Sequence, residues 1–162
     1  MKTKLLLFAL FAISLSFVAC NNNDDDNNNI GDCTADCLRA EINGEFWEAS
    51  IFSTTNVTAP INTLILAGSR TTNGVLQNIS ITMLNRNPGS YNLDALGSDG
   101  TVVEYTETNG GSTTDFNQVS GTLTITESDT TEGRIKGTFQ YEGVDPDGNS
   151  VSVTAGEFDI LY

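Results

Sequence analysis

The sequence predicts a single all-β domain, an antiparallel β-sandwich or flattened β-barrel of about eight or nine strands. Apolar and polar residues alternate in most of the chain, as where Ile79, Ile81 and Met83 enclose Ser80 and Thr82. A period of two with one apolar face is typical of antiparallel sheet. Glycine turn signals separate these runs at intervals typical of sandwiches and barrels. They are Asn43-Gly44, Asn73-Gly74, Pro88-Gly89, Asp99-Gly100, Asn109-Gly110-Gly111 and Asp147-Gly148.

The chain begins with the layout of a secretory signal peptide, predicted over residues 1–19. Lys2 and Lys4 precede the apolar-rich run Leu5–Val18, and the small residue Ala19 follows it. This run of about fourteen residues is shorter than the roughly twenty that a membrane-spanning helix needs. We therefore expect the segment to be removed.

The end of the signal, Phe17-Val18-Ala19-Cys20, resembles the lipobox of bacterial lipoproteins, although Phe17 replaces the usual aliphatic residue. The resemblance implies a lipid on the Cys20 thiol and attachment to a membrane through it. Each buried methylene contributes about 0.8 kcal/mol, so two or three acyl chains attach a protein durably where one does not. The alternative is a secreted protein in which Cys20 is incidental.

Residues 20–32 are predicted to be a disordered tether between the lipid and the domain. Asn21–Asn29 contains no apolar side chain, so burial cannot offset its conformational entropy. Asp24-Asp25-Asp26 resembles the acidic signal that sends lipoproteins of the Bacteroidota to the outer leaflet of the outer membrane. We expect display on the cell surface, with a periplasm-facing position as the alternative.

The net charge argues against a nucleic-acid partner. The chain has 7 Lys and Arg against 21 Asp and Glu, a net −14, and loss of Lys2 and Lys4 with the signal makes it −16. Binding to phosphates depends on clustered basic residues that this chain lacks.

Residues 33–162 form the predicted domain, and Cys33 and Cys37 stand at its entrance. We expect them to form a disulfide because exported thiols tend to pair, with two free thiols as the alternative. Strands are expected near residues 39–43, 46–52, 62–69, 75–84, 90–93, 101–107, 118–127, 133–142 and 150–161, the last interrupted near Gly156.

The strands over 118–127 and 133–142 are expected to form a hairpin with its turn near Thr130. This register places Gly121 opposite Phe139 and Leu123 opposite Gly137, with Val119 facing inward. A large side chain across from each glycine would cover its exposed backbone. The alternative is that both glycines mark β-bulges.

Five segments of the domain resemble, in their order, a family of small strand-rich lipoproteins of the Bacteroidota classed as a domain of unknown function. The resemblance spans Arg39–Tyr162 and rests on framework glycines, aromatics and threonines, so it implies fold and location and no catalytic residues. The segments are INGEFWEA (Ile42–Ala49), NPGSYNL (Asn87–Leu93), SGTLTIT (Ser120–Thr126), RIKGTFQY (Arg134–Tyr141) and VSVTAGEFDILY (Val151–Tyr162).

The sequence offers no catalytic residues and no cofactor motif. It contains no histidine, which excludes Ser-His-Asp and Cys-His catalysis and removes the commonest general base. A glycoside hydrolase needs only two facing carboxylates, so a carboxylate-dependent enzyme remains the alternative to a non-enzymatic structural or binding module. A surface inhibitor or interaction domain is a further possibility, and the sequence leaves the oligomeric state open.

Two weak candidate sites remain. Asp145, Asp147 and Asn149 alternate like the opening of a calcium loop, but Gly148 comes too early and Gly156 stands where the closing acid belongs; a simple turn explains the same residues. Adjacent residues of a strand point to opposite faces, so one of Phe46 and Trp47 lies outside the core. If Trp47 is the outward residue, it could bind a glycan or a protein. The alternative is that both aromatics are buried.

Overall fold

The computed structural model describes residues 33–34, 36–58 and 62–162. The predicted signal peptide, Cys20 and the predicted tether lie outside these residues. In the described part, no helix is long and apolar enough to cross a membrane.

The described chain is all-β, as predicted, with ten strands in one domain. The strands are β1 (Cys37–Ile42), β2 (Glu45–Glu48), β3 (Ile51–Val57), β4 (Thr63–Thr72), β5 (Val75–Met83), β6 (Gly89–Asn92), β7 (Thr101–Asn109), β8 (Ser112–Asp129), β9 (Arg134–Val144) and β10 (Ser150–Leu161).

Nine strands form one antiparallel sheet in the order β2-β1-β10-β9-β8-β7-β5-β4-β3, and β6 pairs with β8 beside that path. Most connections are hairpins with turn residues of the predicted kind. Asn43 and Gly44 have φ of 53° and 83°, and Asn73 and Gly74 have 51° and 81°. Positive φ at both central residues matches the twist of the flanking strands, which is why Asn-Gly pairs favour such turns.

The sheet curls into a half-barrel, because its two edge strands are consecutive in the chain. Ala49 and Ser50 connect β2 to β3: the Ala49 N–H donates to the Leu38 carbonyl at 3.0 Å, and the Ser50 N–H donates to the Ser69 carbonyl at 2.9 Å. The strand predicted over 46–52 is therefore two strands, since the chain leaves β1 at this link and pairs with β4. Of the two predicted architectures, a β-sandwich and a flattened β-barrel, the curled sheet therefore agrees with a partial barrel.

The core fills the concave side of the sheet. Buried apolar side chains from every strand except β3 meet there with Leu93, and their removal from water is the main favourable contribution to folding. The largest fully buried side chains are Trp47, Tyr105, Phe158, Leu38, Leu64, Leu66, Ile79, Ile81, Met83, Leu93, Leu123 and Ile125.

The β8–β9 hairpin exists, but its predicted register was wrong by two residues. Gly121 lies opposite Tyr141 and Leu123 opposite Phe139. The turn is centred beyond Thr130, since Asp129 pairs with Arg134, and the bulges at Thr126 and Val119 each bring the pairing back by one residue toward the predicted register. The bulges do not fall on the glycines.

Because of the bulge beside Gln118, the Val119 side chain does not face inward as predicted. Val119 is 46% exposed, while Gln118 is buried. The Gln118 side chain accepts a hydrogen bond from the Val103 N–H at 2.8 Å and donates one to the Asp94 carbonyl at 2.7 Å. It thus joins β8 to β7 and to the loop that precedes β7.

The sheet has two distinct ends. The hairpin turns at residues 43–44, 73–74, 110–111 and 145–149 lie at one end, which we name the distal end. Cys33, the start of β1, the end of β10 and the loops at 84–88, 93–100 and 130–133 lie at the other, the proximal end. The chain therefore enters the domain at the proximal end.

Candidate functional site

The convex face of the sheet carries two adjoining cavities, which we name the outer groove. The first, of about 330 Å³, lies over β8, β9 and β10, and the second, of about 250 Å³, continues it toward the distal end. Gln140 of β9 lines both. The residues of the groove are Ser120, Gly121, Thr122, Thr124, Thr138, Phe139, Gln140, Tyr141, Glu142, Val153, Thr154, Ala155, Gly156 and Glu157.

A β-bulge in β10 lies under the groove. Between Val153 and Gly156 this strand has one residue more than β9, and Ala155 adopts a φ of 47°. A bulge bends its strand and increases the local twist. The next residue is a glycine, Gly156, because a Cβ at this position would lie 2.5 Å from the Phe139 carbonyl oxygen. The predicted interruption near Gly156 is thus a bulge within a continuous strand.

Hydroxyl and amide side chains line both parts of the groove beside apolar groups, and both of its carboxylates have partners. The Ser152 hydroxyl donates to Glu142 at 2.7 Å, and Arg39 donates to Glu157 from Nη2 at 2.5 Å and from Nε at 3.2 Å. Glu157 pairs with Thr138 of β9. Thr138 lies four residues from Glu142 along this strand, so the backbone positions of these two residues are about 13 Å apart at the usual rise per residue.

A third cavity, of about 290 Å³, brings Glu104 of β7 and Asp115 of β8 to one surface. Asp115 pairs with Thr106, so the two acids occupy diagonal positions on one face. Both side chains are exposed. Glu104 and Asp115 therefore share one exposed surface across two neighbouring strands.

The distal half of the core contains a buried polar cluster. The Tyr105 hydroxyl donates to Glu107 Oε1 at 2.6 Å, and Gln77 Nε2 lies 3.5 Å from the same oxygen. Burial, reinforced by Glu107, raises the pKa of Tyr105, and burial raises the pKa of Tyr141 as well. Both phenols therefore stay protonated at neutral pH.

A cluster of charged side chains lies on the convex face at the proximal end. Arg134 donates to Asp159 from Nε at 2.8 Å and from Nη2 at 2.7 Å, and Lys136 Nζ lies 3.6 Å from Asp159. These hydrogen bonds and charges hold the pKa of Asp159 below its ordinary value. The cluster ties β9 to β10 and leaves no cation free there for a ligand.

Cys33 and Cys37 form the predicted disulfide, with sulfur atoms 2.11 Å apart. It closes the short segment that leads into β1, and Cys37 is the first residue of that strand. It is therefore a structural bond at the entrance of the domain.

Trp47 is not an exposed ligand-binding residue. It is 1% exposed, pairs with Ala40 of β1 and lies with Leu38 beside Gly68 of β4. Phe46 is 38% exposed, so the alternative of two buried aromatics is also wrong. Strand alternation explains both, since the curl of the sheet places the Trp47 face inside.

The calcium candidate is a turn. The Asp145 carboxylate accepts hydrogen bonds from the N–H groups of Asp147 and Asn149 at 3.0 and 2.7 Å, and from Asn149 Nδ2 at 2.7 Å. These bonds, the Asn149 side chain first, lower the pKa of Asp145. Asn149 presents its amide nitrogen to Asp145, whereas a calcium ligand would present oxygen. In the described residues, no three His, Cys, Asp or Glu side chains cluster as metal ligands.

Sequence reasoning missed Gln118 and the outer groove. Gln118 continues the inward parity of Phe116, so a polar residue at an apolar position was the available signal. The groove had no such signal, because its residues belong to three strands whose registers depend on bulges.

The comparisons with known proteins give one match. A family model described as Domain of unknown function (DUF6252) matches residues 35–160. Searches of the curated proteins and of the solved structures return no match. The matched region covers nearly the whole half-barrel, and the chain belongs to this family, DUF6252.

Proposed function

We propose that this protein is a lipid-anchored protein of the outer membrane, displayed on the cell surface, whose β-domain binds glycan without catalysing a reaction. The observation that carries the binding part is the outer groove. Its hydroxyl and amide groups can exchange hydrogen bonds with sugar hydroxyls, and its two carboxylates are engaged by Ser152 and Arg39.

The shape of the groove supports an extended ligand. Its two cavities follow one another across three strands and meet at Gln140. An amide offers both donors and an acceptor, so Gln140 can contact a chain in either cavity. The groove lies on the side of the sheet, away from both ends, so a tether at the proximal end does not obstruct it.

The anchor is supported by the sequence. The lipobox-like segment ending at Cys20 and the polar stretch after it lead to Cys33 at the proximal end of the domain. A lipid on Cys20 would therefore connect the membrane to the proximal end of the domain. The Asp24-Asp25-Asp26 stretch supports the outer leaflet.

Binding can be tested by affinity electrophoresis of the mature chain carrying Cys20→Ser, run in gels containing cell-envelope polysaccharide or dextran. We expect retardation by at least one polysaccharide. Gln140→Ala should weaken it about tenfold, because one substitution removes contacts in both cavities. Thr71→Ala, an exposed threonine of β4 outside the groove, is the matched control. Migration unaffected by every polysaccharide would reject glycan binding and favour a structural role.

The anchor can be tested in cells. Cys20→Ser should move the protein from the membrane fraction to the soluble fraction, and protease added to intact cells should remove the wild-type domain. A Cys20→Ser protein that still sediments with membranes refutes the anchor. Digestion only after lysis places the domain in the periplasm.

A further inference from the structure

β3 is an unprotected edge of the sheet. It pairs with β4 on one side, and no other described strand pairs with it. Six of its seven residues are exposed. A cavity of about 280 Å³ lies beside it, between the stretch Phe52–Thr54 and the residues Asp36, Ile160 and Leu161. Among the described residues, the backbone edge of β3 that faces away from β4 is therefore unpaired, and a cavity lies beside its stretch Phe52–Thr54.

This edge lacks the features that usually prevent pairing between molecules. Natural edge strands carry charged residues, proline or bulges. The sequence of β3, IFSTTNV, has no charged residue and no proline, and its pairing with β4 is regular from Ile51 to Val57. The other edge strand, β2, carries Glu45 and Glu48. The β3 strand itself therefore presents no carboxylate in a chain of net charge −14.

The order of residues in β3 is self-complementary. In an antiparallel pair centred on Thr54, Ile51 lies opposite the partner's Val57, and Ser53 lies opposite the partner's Thr55. Ile51 and Val57 are 71% and 40% exposed and share a face, since alternate residues of a strand point the same way. A two-fold axis through Thr54 would cover Ile51 and Val57 of both copies. Such use of the same surface by both subunits is the property of an isologous interface.

We propose that two copies of this protein dimerise by antiparallel pairing of their β3 strands about Thr54, which joins their half-barrels into one continuous sheet. The main-chain hydrogen bonds supply affinity, and the facing of Ile51 with the partner's Val57 fixes the register. This inference is independent of the proposed glycan binding.

The charges around β3 agree with this arrangement. Arg86 donates to Asn56 Oδ1 at 2.8 Å and has no carboxylate within salt-bridge distance among the described residues. Asp36 lines the cavity beside Phe52. Because Phe52 lies opposite the partner's Asn56, pairing brings Arg86 of each copy toward the partner's Asp36. The contact therefore joins opposite charges.

The mature chain carrying Cys20→Ser can be examined by sedimentation equilibrium from micromolar to millimolar concentrations. We expect a monomer–dimer equilibrium. Ile51→Lys combined with Val57→Lys should raise the dimer Kd at least tenfold, because like charges then face each other twice. Ile51→Lys combined with Val57→Glu should restore dimerisation, because each lysine then faces a glutamate of the partner.

Leu96→Lys, an exposed apolar position in the loop before β7, is the control and should leave the Kd unchanged. Circular dichroism would establish that each variant folds. A monomer at every concentration overturns the proposal and leaves the edge to a different polypeptide. A dimer that tolerates both lysines overturns it as well, and failure of the lysine–glutamate variant to dimerise overturns the two-fold register.

Discussion

At the residue scale, the tightest positions of the sheet are glycines that lie against aromatic side chains. A Cβ at Gly137 would meet the Thr124 carbonyl oxygen and would lie 2.5 Å from Phe158 Cζ. A Cβ at Gly121 would meet Tyr141 and the Gln140 carbonyl. The sequence predicted a large side chain across from each glycine, Phe139 for Gly121 and Leu123 for Gly137. The structure instead places Tyr141 against Gly121 and Phe158 of β10 against Gly137. Such contacts depend on which strands are neighbours, so periodicity within one strand does not reveal them.

Gly137→Ala should destabilise the domain by roughly 1 to 3 kcal/mol, because the added methyl displaces backbone and a packed ring. The midpoint of urea unfolding would fall at an unchanged slope. Thr138→Ala, at an exposed neighbouring position, should change stability by less than about 0.5 kcal/mol. Equal losses in the two variants would contradict the close contact at Gly137.

Asp159→Asn should lower the free energy of unfolding at pH 7 by roughly 1 to 3 kcal/mol, because it removes charged hydrogen bonds to Arg134. The folded pKa of Asp159 lies below its unfolded value, about 3.9. Its contribution is therefore complete above that value and is lost as the pH falls through the folded pKa. The difference between wild type and variant should shrink below about pH 4.

Urea unfolding between pH 2 and pH 7 would measure this difference. Asp147→Asn, at an exposed turn position, is the matched control and should stay close to wild type throughout. A difference for Asp159→Asn that is constant over the whole pH range would show that packing, not charge, accounts for the loss.

At the element scale, strand boundaries and registers depend on features that lie between strands. The sequence predicted most strands, but merged β2 with β3 and began β8 six residues late. The sequence at Ala49 and Ser50 gives no signal of a strand end, because the chain stays extended there while its pairing changes from β1 to β4. Likewise Val119 continues a period of two in sequence, and only the bulge against β9 turns it outward.

Replacing both Cys33 and Cys37 with Ala should lower the free energy of unfolding by about 2 kcal/mol, the chain-entropy value for a loop this short. The effect should be local, since the bond secures only the entrance to β1. Hydrogen exchange at Leu38 should become faster, while exchange at Phe139 in the middle of the sheet should follow global stability alone. Unchanged exchange at Leu38 would mean that β1 is held by β10 without help from the disulfide.

At the scale of the whole molecule, charge and curvature determine how the domain meets other molecules. Of the basic residues in the described chain, Arg39, Arg134 and Lys136 are engaged in salt bridges. Most of the acidic residues lack such partners, so copies of the domain repel one another at long range. Contact between copies is therefore favoured along β3, which carries no charged residue of its own.

The β3-mediated dimer should become tighter as salt is added. Screening shortens the range of repulsion from about 30 Å at 0.01 M ionic strength to about 10 Å at 0.1 M. We expect the dimer Kd to fall several-fold over this interval, measured by sedimentation equilibrium. A Kd that rises with salt would indicate that attraction between unlike charges dominates the interface.

The sequence by itself determined the all-β class, most of the strands and the turns at Asn-Gly pairs, and it favoured the pairing of Cys33 with Cys37. These follow from local chemistry: alternating polarity, backbone conformations that glycine and asparagine tolerate, and thiols four residues apart. Only the tertiary structure decided the burial of Trp47, the turn at Asp145, the outer groove and the free edge of β3. Each depends on the curl and the bulges of the sheet, which arise from the packing of strands distant in sequence.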